Sequence, residues 1–123
     1  RYSQWLPASE GFLRLPREMD YAHHVYHLYV VQSEMRDALQ SDFNSAGIQT
    51  GIHYPVPIHL QPAYAFLGYE RGSFPVTEQQ AARVLSLPMF PELTDEQINR
   101  VAEAVHDSQS SRQRASIMSA PPA

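Results

Sequence analysis

The residues in this chain that could do chemistry fall into two groups. In the first, His23, His24 and His27 crowd one short stretch, and a metal site is the sharp possibility. On an extended strand His23 and His27 lie about 13 Å apart and His24 faces the opposite side. Side chains so placed do not share one tetrahedral zinc. The alternative is a set of half-buried structural histidines, and the geometry favours it.

The second group is the run Gly51-Ile-His-Tyr-Pro-Val-Pro-Ile-His-Leu-Gln-Pro-Ala-Tyr64. It puts His53, Tyr54, His59 and Gln61 on a path stiffened by Pro55, Pro57 and Pro62. Proline in a loop lowers the entropy lost when side chains are held in place, and rigid loops at strand ends are where binding groups usually sit. The bland reading is a proline-rich corner whose rings pack on the sheet. From the residues alone both remain open. His53 and His59 as a metal pair lack further ligands at a recognisable spacing, so no metal site is assigned.

All nine basic residues are arginine, and the chain has no lysine. Chemistry that needs an amine nucleophile, such as a Schiff base, is therefore excluded within these 123 residues. Cysteine is absent too, which removes disulfides and thiolates. No glycine-rich phosphate loop, GxSxG or HExxH is present. The net charge of −4 offers no footprint for nucleic acid. No apolar run reaches the roughly 18–20 residues a membrane helix needs. Neither nucleic acid nor membrane is an expected partner, and no signal-peptide pattern opens the chain.

The elements that must position these groups follow from patterning. Residues 1–6 read as the last turn of a helix, and Pro7 to Tyr21 as an irregular connection. His24 to Gln32 is β-branched and aromatic on both faces, the pattern of a covered strand, and this assigns His27 and Tyr29 to the core. Ser33 predicts the cap of a helix through Ala46, ended by Gly47, with Met35, Leu39, Phe43 and Ala46 as its buried stripe. Ile48 to Tyr54 reads as a second strand. Thr77 predicts a helix to about Leu85 with a capping box to Gln80, and Ser86 to Phe90 a short extended piece. Thr94 predicts the last helix, with a capping box to Gln97, a Leu93–Ile98 staple and a stripe of Ile98, Val101, Ala102 and Val105. Residues 108–123 lack periodicity and are expected to be disordered. The fold class is thus α+β, a short sheet covered by about three helices.

The stretches His24-Val-Tyr-His-Leu-Tyr-Val-Val, Gly51 to Tyr64, Leu67-Gly-Tyr, Phe74-Pro-Val-Thr-Glu and Leu85-Ser-Leu-Pro-Met-Phe-Pro-Glu-Leu-Thr94 resemble, in order, the C-terminal part of the DegT/DnrJ/StrS family. These are sugar aminotransferases of the aspartate-aminotransferase fold (fold type I). The resemblance spans about residues 24–105. An ordered series of motifs is far more specific than one alone.

The resemblance implies a small C-terminal domain at 24–107, with 1–23 a linker from a large domain and the chain a fragment that opens at Arg1. It implies pyridoxal phosphate as cofactor of the whole enzyme, bonded to a lysine that this chain lacks. No catalytic residue is expected here, and the fragment is expected to be inactive alone and to bind no cofactor. Further implications are a nucleotide-linked keto sugar as substrate, an amino donor such as glutamate, a homodimer and a cytoplasmic location. His53, Tyr54, His59 and Gln61 match the family's loop beside the sugar-nucleotide pocket, where they would hydrogen bond and line the wall. Two other readings fit the same stretch: a non-catalytic binding or regulatory module, and a dehydratase carrying histidine in place of the lysine.

Overall fold

The computed structural model describes residues 2–6 and 12–118. Its elements in order are α1 (Tyr2–Trp5), β1 (Tyr29–Gln32), α2 (Arg36–Ser45), α3 (Pro75–Arg83), β2 (Val84–Leu87) and α4 (Asp95–Met118). Two 3-10 turns, Ile58–Leu60 and Pro62–Leu67, lie between α2 and α3.

β1 and β2 form an antiparallel ribbon, with Tyr29 opposite Leu87 and Gln32 opposite Val84. Single-residue bridges flank it on both sides: Arg14 pairs Gln32 on the β1 edge, and Gly51 pairs Ser86 on the β2 edge. The ribbon is covered by helices, as the α+β reading expects, with α2 against β2, α3 against β1, and α4 against α1 and α2. Val31, Leu39, Phe43, Leu85 and Val105 are fully buried at the centre. Burial of each such side chain is worth about 1.5–3 kcal/mol in transfer free energy.

Several sequence expectations change. The strand expected at His24–Gln32 begins only at Tyr29. Tyr26 has φ +49°, a left-handed conformation that stops extended pairing, and its N–H donates to His24 Nδ1 at 2.7 Å. His23, His24 and His27 are consequently exposed, so His27 is not a core residue, whereas Tyr29 is. The strand expected over Ile48–Tyr54 reduces to the bridge at Gly51, and β1 takes β2 as its partner instead.

Ser33 lies before α2 rather than capping it. Its Oγ accepts from the Met35 N–H at 3.1 Å, and the helix starts at Arg36 with Met35 half exposed. The end of α2 is as expected: Gly47 takes φ +71°, which glycine adopts without steric cost. α3 starts at Pro75, earlier than Thr77, because proline's fixed φ suits the first helical position. The residue before it, Phe74, offers no side-chain cap, and Thr77 lies inside the helix, so the Thr77–Gln80 box is absent.

α4 keeps its expected cap. Gln97 Oε1 accepts from the Thr94 N–H at 2.9 Å, and Thr94 Oγ1 from the Gln97 N–H at 3.3 Å. Its stripe of Ile98, Val101, Ala102 and Val105 is buried. The helix then runs on to Met118, where disorder was expected from 108. Ser108 is buried and donates to Asp42 of α2, and Arg112 Nη2 reaches the same carboxylate at 2.5 Å. Residues 119–123 of the expected tail lie outside the described residues. The segment 1–23, expected as a linker, supplies Tyr2, Leu6 and Leu13 to the core.

Candidate functional site

Gly51 starts the loop, and its lack of a side chain leaves room for the ring two residues on. The His53 ring folds back over it, so that a Cβ at position 51 would sit 2.9 Å from His53 Cε1. Folded this way, His53 Nδ1 lies 2.9 Å from Ser86 Oγ, on the strand that Gly51 bridges. The loop is thereby anchored to β2 by one backbone pair and one side-chain bond.

Tyr54 comes next, across a cis peptide bond. It is 77% exposed, and its ring stands edge-on to His53 at 5.7 Å. Val56 and Ile58 are exposed beside it. The phenol is free to meet a ligand while its backbone is confined by Pro55 and Pro57.

His59 turns the other way. In the 3-10 turn it is only 8% exposed, and its Nε2 donates to Glu78 Oε1 at 3.0 Å. The ring packs edge-on against Phe74 at 4.8 Å, and Phe74 against Tyr69 at 5.0 Å. Gln61 bends back on the loop, its Nε2 donating to the Val56 carbonyl at 3.4 Å. The four residues thus do not converge. His53 and Tyr54 form a pair at the loop's crest, His59 lies in the corner beneath α3, and Gln61 braces the loop.

The sequence reading missed Glu78 and Ser86. Glu78 Oε1 and Oε2 accept from the Gly72 N–H at 2.8 and 2.9 Å, and Oε1 also from the Phe74 N–H at 3.3 Å. Burial pushes its carboxyl pKa up, but the hydrogen bonds from Gly72, His59 and Phe74 outweigh this and hold it below the usual value. The available signal was an acidic residue in the first turn of a helix opened by proline. Ser86 gave no signal beyond its place in an extended segment.

Among the described residues no three His, Cys, Asp or Glu side chains gather to hold a metal. None of their helices is long and apolar enough to cross a membrane. A separate cleft of about 440 Å³ is lined by Tyr2, Tyr26, Tyr29, Met89 and Phe90 among others, and by none of the four loop residues.

Comparison with known proteins gives this geometry a setting. A "Pleiotropic regulatory protein" of Geobacillus stearothermophilus is 44% identical over 105 residues, which is 85% of this chain and 28% of the relative. The dTDP-3-amino-3,4,6-trideoxy-alpha-D-glucose transaminase of Streptomyces venezuelae is 48% identical over 83 residues, 68% of this chain and 22% of the enzyme. The crystal structure of S. venezuelae DesV in complex with a ketimine intermediate superposes with a TM-score of 0.81 at 42% identity, covering 86% of this chain and 28% of that one. The chain therefore spans about a quarter of the length of these relatives. A model of the DegT/DnrJ/EryC1/StrS aminotransferase family matches residues 1–106. By that match and by these identities, this chain belongs to the DegT/DnrJ/EryC1/StrS aminotransferase family.

Proposed function

We propose that this chain is the C-terminal domain of an aminotransferase that moves an amino group onto a nucleotide-linked keto sugar, and that it forms the sugar side of the active site. The observation that carries the reading is the loop's crest, where Tyr54 stands exposed on a backbone confined by proline and anchored to β2 through His53. Three relatives at 43–48% identity bear the names of transaminases or aminotransferases of dTDP- or UDP-linked sugars. The nucleotide differs among them, so the proposal stays with the class.

Pyridoxal phosphate would supply the electron sink for moving the amino group in the whole enzyme. Its bonding amine is not among these residues, since the 123 contain no lysine. What this chain contributes is binding and orientation. Tyr54 Oη would hydrogen bond the sugar or a phosphate, His53 would back the Tyr54 ring, and Gln61 would keep the loop's path. His59 enters the pocket reading only through the corner it holds. Val56, Ile58, Phe66 and Val76 are each exposed, and apolar side chains of this kind are what a large domain and a homodimeric partner would cover. Glutamate as donor and a cytoplasmic location belong to the same reading.

A regulatory module is the second reading, favoured by the name of the 44% identical relative. Turnover separates the two. The full-length protein carrying this chain should convert a dTDP- or UDP-linked keto sugar to the amino sugar in the presence of glutamate, read by mass spectrometry. Tyr54→Ala should raise KM for the sugar by about 5- to 150-fold, the cost of about 1–3 kcal/mol for a lost pocket hydrogen bond. Its melting temperature should hold, because the residue is exposed. Residues 1–123 alone should show neither turnover nor a cofactor absorbance band that survives desalting. A full-length protein that turns over none of these sugars would overturn the reading, as would wild-type kinetics for Tyr54→Ala.

A further inference from the structure

The loop from Ile52 to Gln61 is held at two places of different kind. At the near end, Gly51 and His53 fasten it to β2. At the far end, one carboxylate does the work. Glu78 accepts from His59 Nε2 in the 58–60 turn, from the Gly72 N–H in the turn before α3, and from the Phe74 N–H where α3 begins. The side chains of His59 and Glu78 are 7% and 13% exposed, so water competes little for these bonds. α3 runs directly into β2, Arg83 being followed by Val84, which makes both anchorages parts of one continuous segment.

We propose that Glu78 is a positioning residue whose carboxylate, through His59, sets the 52–58 loop and so the placement of Tyr54 against the sugar substrate. The proposal rests on the functional reading above. Its physical basis is the number of donors meeting at one point. An ionised carboxylate has about four lone-pair sites and no hydrogen, so it accepts from Gly72, Phe74 and His59 together. The Gly72 N–H lies within 3 Å of both oxygens. An amide in this position would turn an NH2 group toward one of those N–H donors, losing an acceptor and creating a repulsive contact. His59 is the joint: its Nε2–H points at Glu78 and its ring is clamped by Phe74. The turn it belongs to directly follows Pro57, so displacement of His59 shifts the rigid Pro55–Pro57 span that carries Tyr54.

Charge at Glu78 and a donor at 59 are therefore required, whereas the imidazole itself is not. Four variants of the full-length protein test this: Glu78→Gln, His59→Ala, His59→Gln and the Glu78→Gln/His59→Ala double. Steady-state kinetics are read for the sugar and the amino donor separately, together with amide hydrogen exchange at Leu60 and Gln61, whose N–H groups donate to the Pro57 and Ile58 carbonyls.

Glu78→Gln and His59→Ala should each raise KM for the sugar by about tenfold, with kcat and the donor KM within about twofold. The double variant should be no worse than either single, because both cut the same link. His59→Gln, which keeps an N–H near the Nε2 position, should restore KM to near the wild-type value. Direct substrate contact by His59 would instead leave His59→Gln as impaired as His59→Ala. The Leu60 and Gln61 amides should exchange faster in Glu78→Gln while those of Val31 and Leu85 remain protected.

Unchanged exchange at Leu60 and Gln61 in Glu78→Gln overturns the link whatever the activity, and so does an unchanged sugar KM beside accelerated exchange. If Glu78→Gln does not fold, the His59→Ala and His59→Gln pair decides by the same two readouts. Absence of turnover in the wild type would sink the functional reading, and the exchange measurement would still decide the link.

Discussion

Tyr2 shows how burial changes what a single side chain does. Its hydroxyl donates to the Pro88 carbonyl at 2.8 Å, and its ring lies 4.9 Å from that of Tyr29. Burial, with the Tyr29 phenol beside it, pushes the Tyr2 pKa up to about 12. Burial raises Tyr29 as well. The neutral phenol is therefore favoured by folding, and that contribution is complete below pH 10, the ordinary tyrosine value. It is lost as pH rises from 10 toward 12, because the unfolded chain gives up its proton first. Tyr2→Phe should lose about 1 kcal/mol at pH 8 through the orphaned Pro88 carbonyl, yet flatten the decline between pH 10 and 12. Urea midpoints at pH 8, 10 and 11.5 provide the check. A sequence shows that Tyr2 is a tyrosine but not that its ring closes the core, because the partners, Tyr29 and Pro88, are remote in the chain. His59 repeats the lesson at the candidate site. Its type and loop position suggested a ligand contact, while the acceptor that turns it inward, Glu78, lies 19 residues on.

Local signals fixed the start of α4 and the end of α2, while those at Ser33 and Thr77 did not mark the starts of α2 and α3. The Thr94–Gln97 box, the Leu93 and Ile98 pair flanking it and Gly47 at the end of α2 depend on residues a few positions apart, and each stands where its spacing says. β1 was read too long because β-branched and aromatic content does not reveal a left-handed residue such as Tyr26. The second half of α4 escaped notice for a different reason. After Val105 the buried side of the helix carries Ser108 and Arg112 in place of apolar residues, and what holds it is Asp42 on α2. A stripe that turns polar reads as a tail unless its acceptor is known. Asp42→Ala should therefore fray α4 from about Ser108 onward and leave the core intact. Far-UV circular dichroism should lose the signal of about ten helical residues, and amides at 108–118 should exchange faster while Val101 and Val105 stay protected. An unchanged helical signal would show that α4 holds its end without α2.

At the scale of the whole molecule, five short motifs in the right order pointed to the family that the match over residues 1–106 shows. Which strands would pair was not legible, because strand pairing depends on contacts across the chain that leave no periodic trace. The observed pairing bears on how copies of this protein behave toward one another. A ribbon of two strands has two open borders, each a row of N–H and C=O groups that another chain can extend. Arg14 and Gly51 each occupy one border with a two-way exchange: Arg14 with Gln32 at 2.8 and 2.9 Å, Gly51 with Ser86 at 3.0 and 2.7 Å. Each is a single residue held by a loop, so a local opening bares the border long before the core gives way. Arg14→Pro removes one donor of its exchange and should lower the temperature at which light scattering rises, with a smaller change in the loss of near-UV signal. Coincident shifts in both would mean that copies associate only after global unfolding. Resistance to aggregation in this fold would then rest on two residues outside the strands, acting as stoppers against growth of the sheet from chain to chain.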